Sequence, residues 1–420
     1  MQPKILTTLR DYSWKQFSAD VMAGITVALI ALPLSLAIAI ASGAEPAKGL
    51  VTAIVGGFFV SLLGGSRVQI GGPTGAFIVV VFGIIAQHGY DGLVLATLMA
   101  GLILLAAGWL RVGNLIAYVP EAVINGFTIG IAIIIATSQL KDFFGLELAM
   151  VPAEFVEKLA ALWSARGSFN PWAAGIAASS LAVIALLRWM FPRFPGLLLV
   201  MAAASVLVVS FGLPVDTIAG RFGELPGGFP APSVPDVSVE RLLALLPSAL
   251  IIAFLAAVES LLSALVADKM IETRHRPNAE VAAQGTANLA SALFGGMPVT
   301  GAIARTATNI KAGGRTPVAG IVHALALLLI LLFASSLAGY LVLPALAALL
   351  MLTAWNMSEP HKWREYAKLP RADLALLVLT LLLTIFVDLA VAVGAGVGIG
   401  LALRLRKSKP EPKDWTPPKR

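Results

Sequence analysis

Gly295-Gly296-Met297-Pro298-Val299-Thr300-Gly301-Ala302 interrupts a long apolar region, and Gly71-Gly72-Pro73-Thr74-Gly75-Ala76 interrupts another far earlier in the chain. Such Gly and Pro clusters mark places where a helix ends and a new one begins. The first stretch opens the tenth, and the second the third, of about fourteen hydrophobic segments beginning near residues 20, 47, 73, 91, 117, 172, 196, 242, 278, 301, 317, 342, 371 and 390. Seven segments precede a Pro- and Gly-rich stretch, Gly212 to Arg241, and seven follow it. An odd number per half forces the halves to cross a membrane in opposite senses, so two interrupted segments in the same ordinal position are the signature of an inverted repeat.

The rest of the composition agrees with a membrane setting. The chain of 420 residues is 58% hydrophobic and only 13% charged, with a mean hydropathy of +0.88. A water-soluble protein of that make-up would expose large apolar patches. Runs of roughly 20 apolar residues suit helices crossing a hydrocarbon core of roughly 30 Å. A barrel would alternate polarity, whereas Leu325 to Phe333 is apolar at every position. The fold class expected is therefore all-α integral membrane. Its divisions are an N-terminal segment 1–19, a first repeat 20–211, a linker 212–241, a second repeat 242–406 and a disordered Pro- and charge-rich tail 407–420.

Charge sets the orientation. With the N-terminus in the cytoplasm, 23 of the 30 Lys and Arg fall on cytoplasmic segments, 6 fall outside, and Arg305 alone lies within a span. Positive residues collect on the inner side, so a bacterial inner membrane with both termini cytoplasmic is expected. The linker and the stretch Lys141 to Pro171, whose Glu154 to Trp163 part suits a short interfacial helix, then lie outside. Lys4, Arg10 and Lys15 precede the first span, but no small-residue cleavage site follows it, so that span is expected to stay. The formal charge of +7 comes from short loops without an aromatic-basic cluster, which argues against a nucleic-acid partner. No cysteine is present, and His88, His275, His323 and His361 lie far apart; thiolate chemistry is excluded, no metal-ligand motif forms, and an enzyme is not expected.

A helix that begins in mid-membrane leaves its first N–H groups without helical partners, and a small anion satisfies them well. Half-helices opening at Thr74-Gly75-Ala76 and Gly301-Ala302-Ile303 from opposite halves would aim at one point. The competing reading is that these Gly and Pro residues only permit close packing or a kink. Arg305, about one turn after Gly301, offers a fixed charge for an anionic substrate, with a structural ion pair as the alternative. Glu259, in Val258-Glu259-Ser260-Leu261-Leu262-Ser263, is the clearest intramembrane acid and a natural coupling residue. Ser263 one turn on could complete a cation site, and pairing with Arg305 is the alternative. Glu121 and Asp388 are weaker signals at span ends, and His323 reads as a helix-contact residue. Asn278, Gln284 and Asn288 suggest that the ninth segment is buried in protein.

These residues resemble the SulP family of anion transporters. The resemblance rests on Ala23-Gly24-Ile25-Thr26-Val27 through Leu32-Pro33, Gly43 to Gly49, Gly72-Pro73-Thr74-Gly75, Val258-Glu259-Ser260-Leu261-Leu262 with Ala267-Asp268, Gln284-Gly285-Thr286-Ala287-Asn288 and Ala304-Arg305-Thr306. It implies a seven-plus-seven inverted repeat similar to uracil permease, with a core (spans one to four and eight to eleven) moving against a gate (five to seven and twelve to fourteen). It also implies a homodimer in the lipid bilayer. Substrate would lie between the first, third and tenth spans, at Ile38, Thr74, Gly75, Ala76, Gly301, Ala302, Ile303 and Arg305, with Glu259 and Ser263 as ion-coupling residues. Glutamate at position 259, where sodium-coupled bicarbonate members carry aspartate, resembles the proton-coupled branch, so H⁺ rather than Na⁺ is expected and no cofactor. Ala354-Trp355-Asn356-Met357-Ser358-Glu359 looks like the dicarboxylate-carrying branch. Family members usually continue into a cytoplasmic STAS domain, which this sequence does not contain. The expected function is secondary active transport of sulfate, bicarbonate or a four-carbon dicarboxylate by an elevator-like shift. The alternatives are an anion channel, an exchanger without cation coupling and, more remotely, a nucleobase permease, against which the charge of Arg305 argues.

Overall fold

The computed structural model describes residues 2–10, 12–114, 120–148, 151–191, 196–387, 391–392, 394–396 and 398–400. Asp388 and the tail 407–420 lie outside the described residues. Helices dominate. Helix α1 (Trp14–Ala41) starts at Ser13, whose hydroxyl accepts from the Gln16 N–H, and α2 (Pro46–Leu63) has proline in its first turn. The expected third and fourth spans are the two helical arms of α3 (Gly75–Trp109), separated by a break at Gly89, where φ is +69° and ψ is 178°. Only glycine takes that backbone freely, which is why the apolar pattern breaks there.

Next come α4 (Glu121–Phe144), α5 (Phe155–Ser164), α6 (Pro171–Met190) and α7 (Gly196–Phe211). Helix α5 matches the short helix expected from Glu154 to Trp163. The second half holds α8 (Val239–Ile271), α9 (Pro277–Leu293), α10 (Ile303–Lys311), α11 (Pro317–Gly339), α12 (Leu343–Met357) and α13 (Arg371–Phe386). Seven of these helices, α1, α2, α3, α4, α6, α8 and α11, are long and apolar enough to cross a membrane. Their outer faces carry bare apolar side chains such as Phe333 and Trp189, 82% and 81% exposed, as expected of a surface solvated by lipid.

Packing follows the small residues. Helix α3 lies against α8 and α9, and α1 against α11, while α4 packs on α12 and α13 and α6 on α12. The α3–α9 pair approaches at backbone distance, because a Cβ on Gly101 or Gly285 would sit 2.6–2.9 Å from the other's carbonyl or neighbouring atoms. Small residues are what permit such contacts between membrane helices. Helix α9 is buried in protein as its polar residues suggested: Glu280, Gln284, Asn288 and Ser291 are fully inaccessible.

The two interrupted stretches meet. Gly71–Gly72 (β1) and Thr300–Gly301 (β2) form a two-residue antiparallel pair, with Gly71 opposite Gly301 and Gly72 opposite Thr300. The Ala302 N–H extends it by donating to the Ile70 carbonyl at 2.8 Å. Immediately after this pair the chain turns into α3 on one side and α10 on the other.

Candidate functional site

The strand pair sets two helix entrances side by side. A 3₁₀ turn, Gly75–Phe77, begins α3, and α10 begins at Ile303, so Arg305 stands in the first turn of its helix. Both entrances lie on the wall of a cavity of about 1280 Å³. Ile38, Thr74, Gly75, Ala76, Glu259, Ala302, Ile303 and Arg305 all line it. Eight of the ten residues expected at the site, from four separate helices, are thus gathered in one place.

Gly301 and Ser263 are not among the lining residues. Gly301 is held in the strand pair, with the Gln69 side-chain amide packed where a Cβ would stand. Ser263 faces away, and its hydroxyl donates to Thr306 Oγ1 at 3.2 Å. No cluster of three or more His, Asp or Glu residues able to hold a metal exists among the described residues.

Arg305 is 2% exposed. Its Nη2 donates to Ser35 Oγ at 3.2 Å and to the Pro73 carbonyl at 3.0 Å. Its Nε and Nη1 are buried without a hydrogen-bond partner. The guanidinium therefore braces the entrance to α3 and leaves its positive charge uncompensated by any carboxylate within ion-pair distance. Gly72 is what makes room, since a Cβ there would collide with Nη1. Glu259 reaches the same entrance and accepts from Thr74 Oγ1 at 2.8 Å. Its expected alternative, an ion pair with Arg305, does not form.

The cavity extends from these residues to Glu121, Arg188, Lys311, Glu359, Lys362 and Tyr366. Near that mouth Lys362 Nζ and Tyr366 OH donate to the Glu359 carboxylate at 2.9 and 2.7 Å. Burial works against the charged form of Glu359, but these two donors outweigh it and hold the carboxyl below its ordinary range. Asn125 and Thr128 of α4 and Thr353 and Asn356 of α12 complete the wall facing Arg305's side. The sequence reading missed Asn125, Thr128 and Thr353, because a single amide or hydroxyl in an apolar helix looks like a helix contact. Asn356 fell within the stretch flagged by resemblance, and Glu121 faces the cavity rather than only an interface.

Chemically, the wall offers free N–H groups at two helix entrances, the nearby charge of Arg305 and one acid linked to the same entrance. That set favours a small anion.

The sequence matches the sulfate permease family model over residues 17–380. It is 42% identical over 369 residues to YvdB of Bacillus subtilis, which bears the provisional name of a sulfate transporter, covering 88% of this chain and 70% of that protein. It is 33% identical over 346 residues to the bicarbonate transporter BicA of Picosynechococcus, covering 80% of this chain and 61% of BicA. The chain thus spans less than two thirds of BicA's length. The solved transmembrane domain of a cyanobacterial BicA aligns with a TM-score of 0.80 at 32% identity, over 92% of this chain and 99% of that one. The inward-facing structure of murine Slc26a9 aligns with a TM-score of 0.87 over 97% of this chain and 72% of that one, and at 20% identity it shows a shared fold. The protein is a multi-pass membrane protein, and the chain belongs to the sulfate permease family.

Proposed function

We propose that the chain is a secondary active transporter of a small oxyanion, sulfate or bicarbonate first and a four-carbon dicarboxylate third, driven by protons through Glu259. One observation carries this reading: the β1–β2 pair sets two helix entrances from opposite halves of the chain on one cavity wall, beside the buried guanidinium of Arg305, which forms no ion pair. A neutral nucleobase would leave that charge buried and unanswered. The names of YvdB and BicA agree with an anion as cargo.

Coupling is supported by the shared entrance. Glu259 bonds Thr74, so gain or loss of a proton there changes a hydrogen bond made by a residue of the anion site. An elevator-like motion is supported by the packing, in which α4, α6, α12 and α13 hold chiefly to one another, as do α1, α2, α3, α8, α9, α10 and α11. On the charge asymmetry, our reading puts the cavity mouth beside Lys311 and Lys362 in the cytoplasm of a bacterial inner membrane.

Radiolabelled sulfate, bicarbonate and succinate uptake into proteoliposomes, each with and without an inwardly directed proton gradient, tests the proposal. Saturable uptake of one anion that a proton gradient accelerates is expected. Non-saturating flux would indicate a channel, and absence of uptake for all three would overturn the oxyanion assignment.

A further inference from the structure

Glu280, in the first turn of α9, is fully inaccessible and stands outside the cavity, and it takes no part in the function proposed above. Its carboxylate is surrounded by donors. The N–H groups of Gly65 and Ser66 donate to Oε2 at 2.8 and 3.0 Å. Gln69 Nε2, Gln284 Nε2 and Ser260 Oγ donate to Oε1 at 2.9, 2.9 and 3.0 Å. Gln69 Nε2 also donates to Ser260 Oγ at 2.6 Å. A buried carboxylate with five donors is tightly placed, and whatever it holds is placed with it.

What it holds leads directly to the site. Ser260 is the residue after Glu259 on α8. Gln69 immediately precedes Ile70, whose N–H donates to Thr306 Oγ1 at 3.1 Å and whose carbonyl accepts from Ala302 N–H at 2.8 Å. The Gln69 amide also packs against Gly301. One carboxylate oxygen therefore ties the turn carrying Glu259 to the strand pair that sets both helix entrances. The other oxygen ties in the turn that ends α2.

The geometry points to Glu280 as a positioning residue for the anion site: it fixes the register of β1 and β2 against the Glu259 turn by holding Gln69 and Ser260 together. This inference rests on the transport reading for its assay. Removing the carboxylate releases two side chains that face the site from behind, so the anion should bind less well in protein that is otherwise folded. Glutamine at position 280 is the conservative replacement. Its oxygen can take the Gly65 and Ser66 N–H groups, and its amide can donate to the Gln69 and Gln284 oxygens, which lack partners at present, if those amides turn over.

The test measures KM for sulfate and for bicarbonate in proteoliposomes, a quantity independent of how much protein is active. Glu280→Ala and Gln69→Leu should each raise KM at least tenfold, the double variant should be no worse than the more impaired single, and Glu280→Gln should return KM to within about threefold of the unsubstituted protein. A KM within twofold of the unsubstituted value for both Glu280→Ala and Gln69→Leu would overturn the proposal. If Glu280→Ala does not fold, Gln69→Leu decides alone. If the unsubstituted protein moves neither anion, the transport reading has failed, and hydrogen exchange without anion still decides the positioning role. Faster exchange confined to residues 69–72 and 300–302 in Gln69→Leu supports it, and unchanged exchange there refutes it.

Discussion

Arg305 and Glu259 hold adjacent residues of the chain rather than each other: Arg305 Nη2 donates to the Pro73 carbonyl at 3.0 Å, and Thr74 Oγ1 donates to the Glu259 carboxylate at 2.8 Å. The cation and the acid are thereby joined through one peptide unit at the entrance to α3. Bringing them into direct contact would cancel the charge that favours an anion.

A buried guanidinium without a carboxylate partner is costly, and an incoming anion relieves that cost. Arg305→Ala should therefore weaken sulfate or bicarbonate binding, raising KM at least tenfold, about 1.4 kcal/mol or more. Arg305→Lys should recover only part of the loss, because an ammonium that replaces Nη2 at Ser35 and Pro73 keeps the charge but lacks the further Nε and Nη1 donors that the guanidinium leaves for an anion. Uptake titrations in proteoliposomes check both. Unchanged KM in Arg305→Ala would remove the residue from the site.

Glu259→Gln keeps an oxygen that can accept from Thr74 but removes the proton-binding group. Acceleration of uptake by a proton gradient should disappear, while exchange of internal for external anion continues. The decisive measurement is counterflow beside gradient-driven uptake in the same vesicles. Retention of the gradient effect would show that coupling lies elsewhere.

These two residues also show how far the sequence could be read. The interrupted stretches announced two helix entrances because Gly and Pro break apolar segments, and Arg305 and Glu259 stood out because charge is rare among residues like their neighbours. The strand pair was not legible, since a two-residue ladder has no periodicity to detect. The hydrogen bond that turns Ser263 towards Thr306 and away from the cavity was equally invisible, because helical spacing gives the face of a residue but not its partner. The third and fourth spans read as two because Gly89 and its polar neighbours interrupt the apolar pattern, and the backbone does leave the helix at Gly89. Glu280 lay hidden in the amphiphilic start of α9, where an acid looks like an ordinary first-turn residue.

The position of Gly72 is set by Arg305, so a methyl group there is a sharper probe of the site than removal of the charge itself. A Cβ at 72 would collide with Arg305 Nη1, whereas a Cβ at Gly83 meets nothing within 4 Å. Gly72→Ala should displace the guanidinium and reproduce most of the Arg305→Ala loss, at least tenfold in KM. Gly83→Ala, at a half-buried position of α3 where an added methyl meets open space, should leave transport within twofold. Equal behaviour of the two variants in the uptake assay would contradict the close approach of Gly72 to Arg305.

Lys158 on α5, outside the membrane-crossing helices, is 3% exposed, donates to Ser138 Oγ at 3.0 Å and lies 5.4 Å from the centre of the Phe82 ring. Burial pushes its ammonium down to about 8, with no carboxylate to offset the effect. Because the folded value lies below the unfolded one of 10.5, the unfolded chain binds more protons between those two values. Stability should then rise as pH increases from about 8 to 10.5. Below pH 8 the full burial cost is present, and Lys158→Met should relieve it, stabilising the protein by about 1 to 3 kcal/mol once the lost Ser138 and Phe82 contacts are set against it. Thermal unfolding in detergent from pH 7 to 10.5 reads the difference directly. The gap between the two proteins should be widest near pH 7 and should close towards the alkaline end; a gap independent of pH would mean that Lys158 is not buried as a cation.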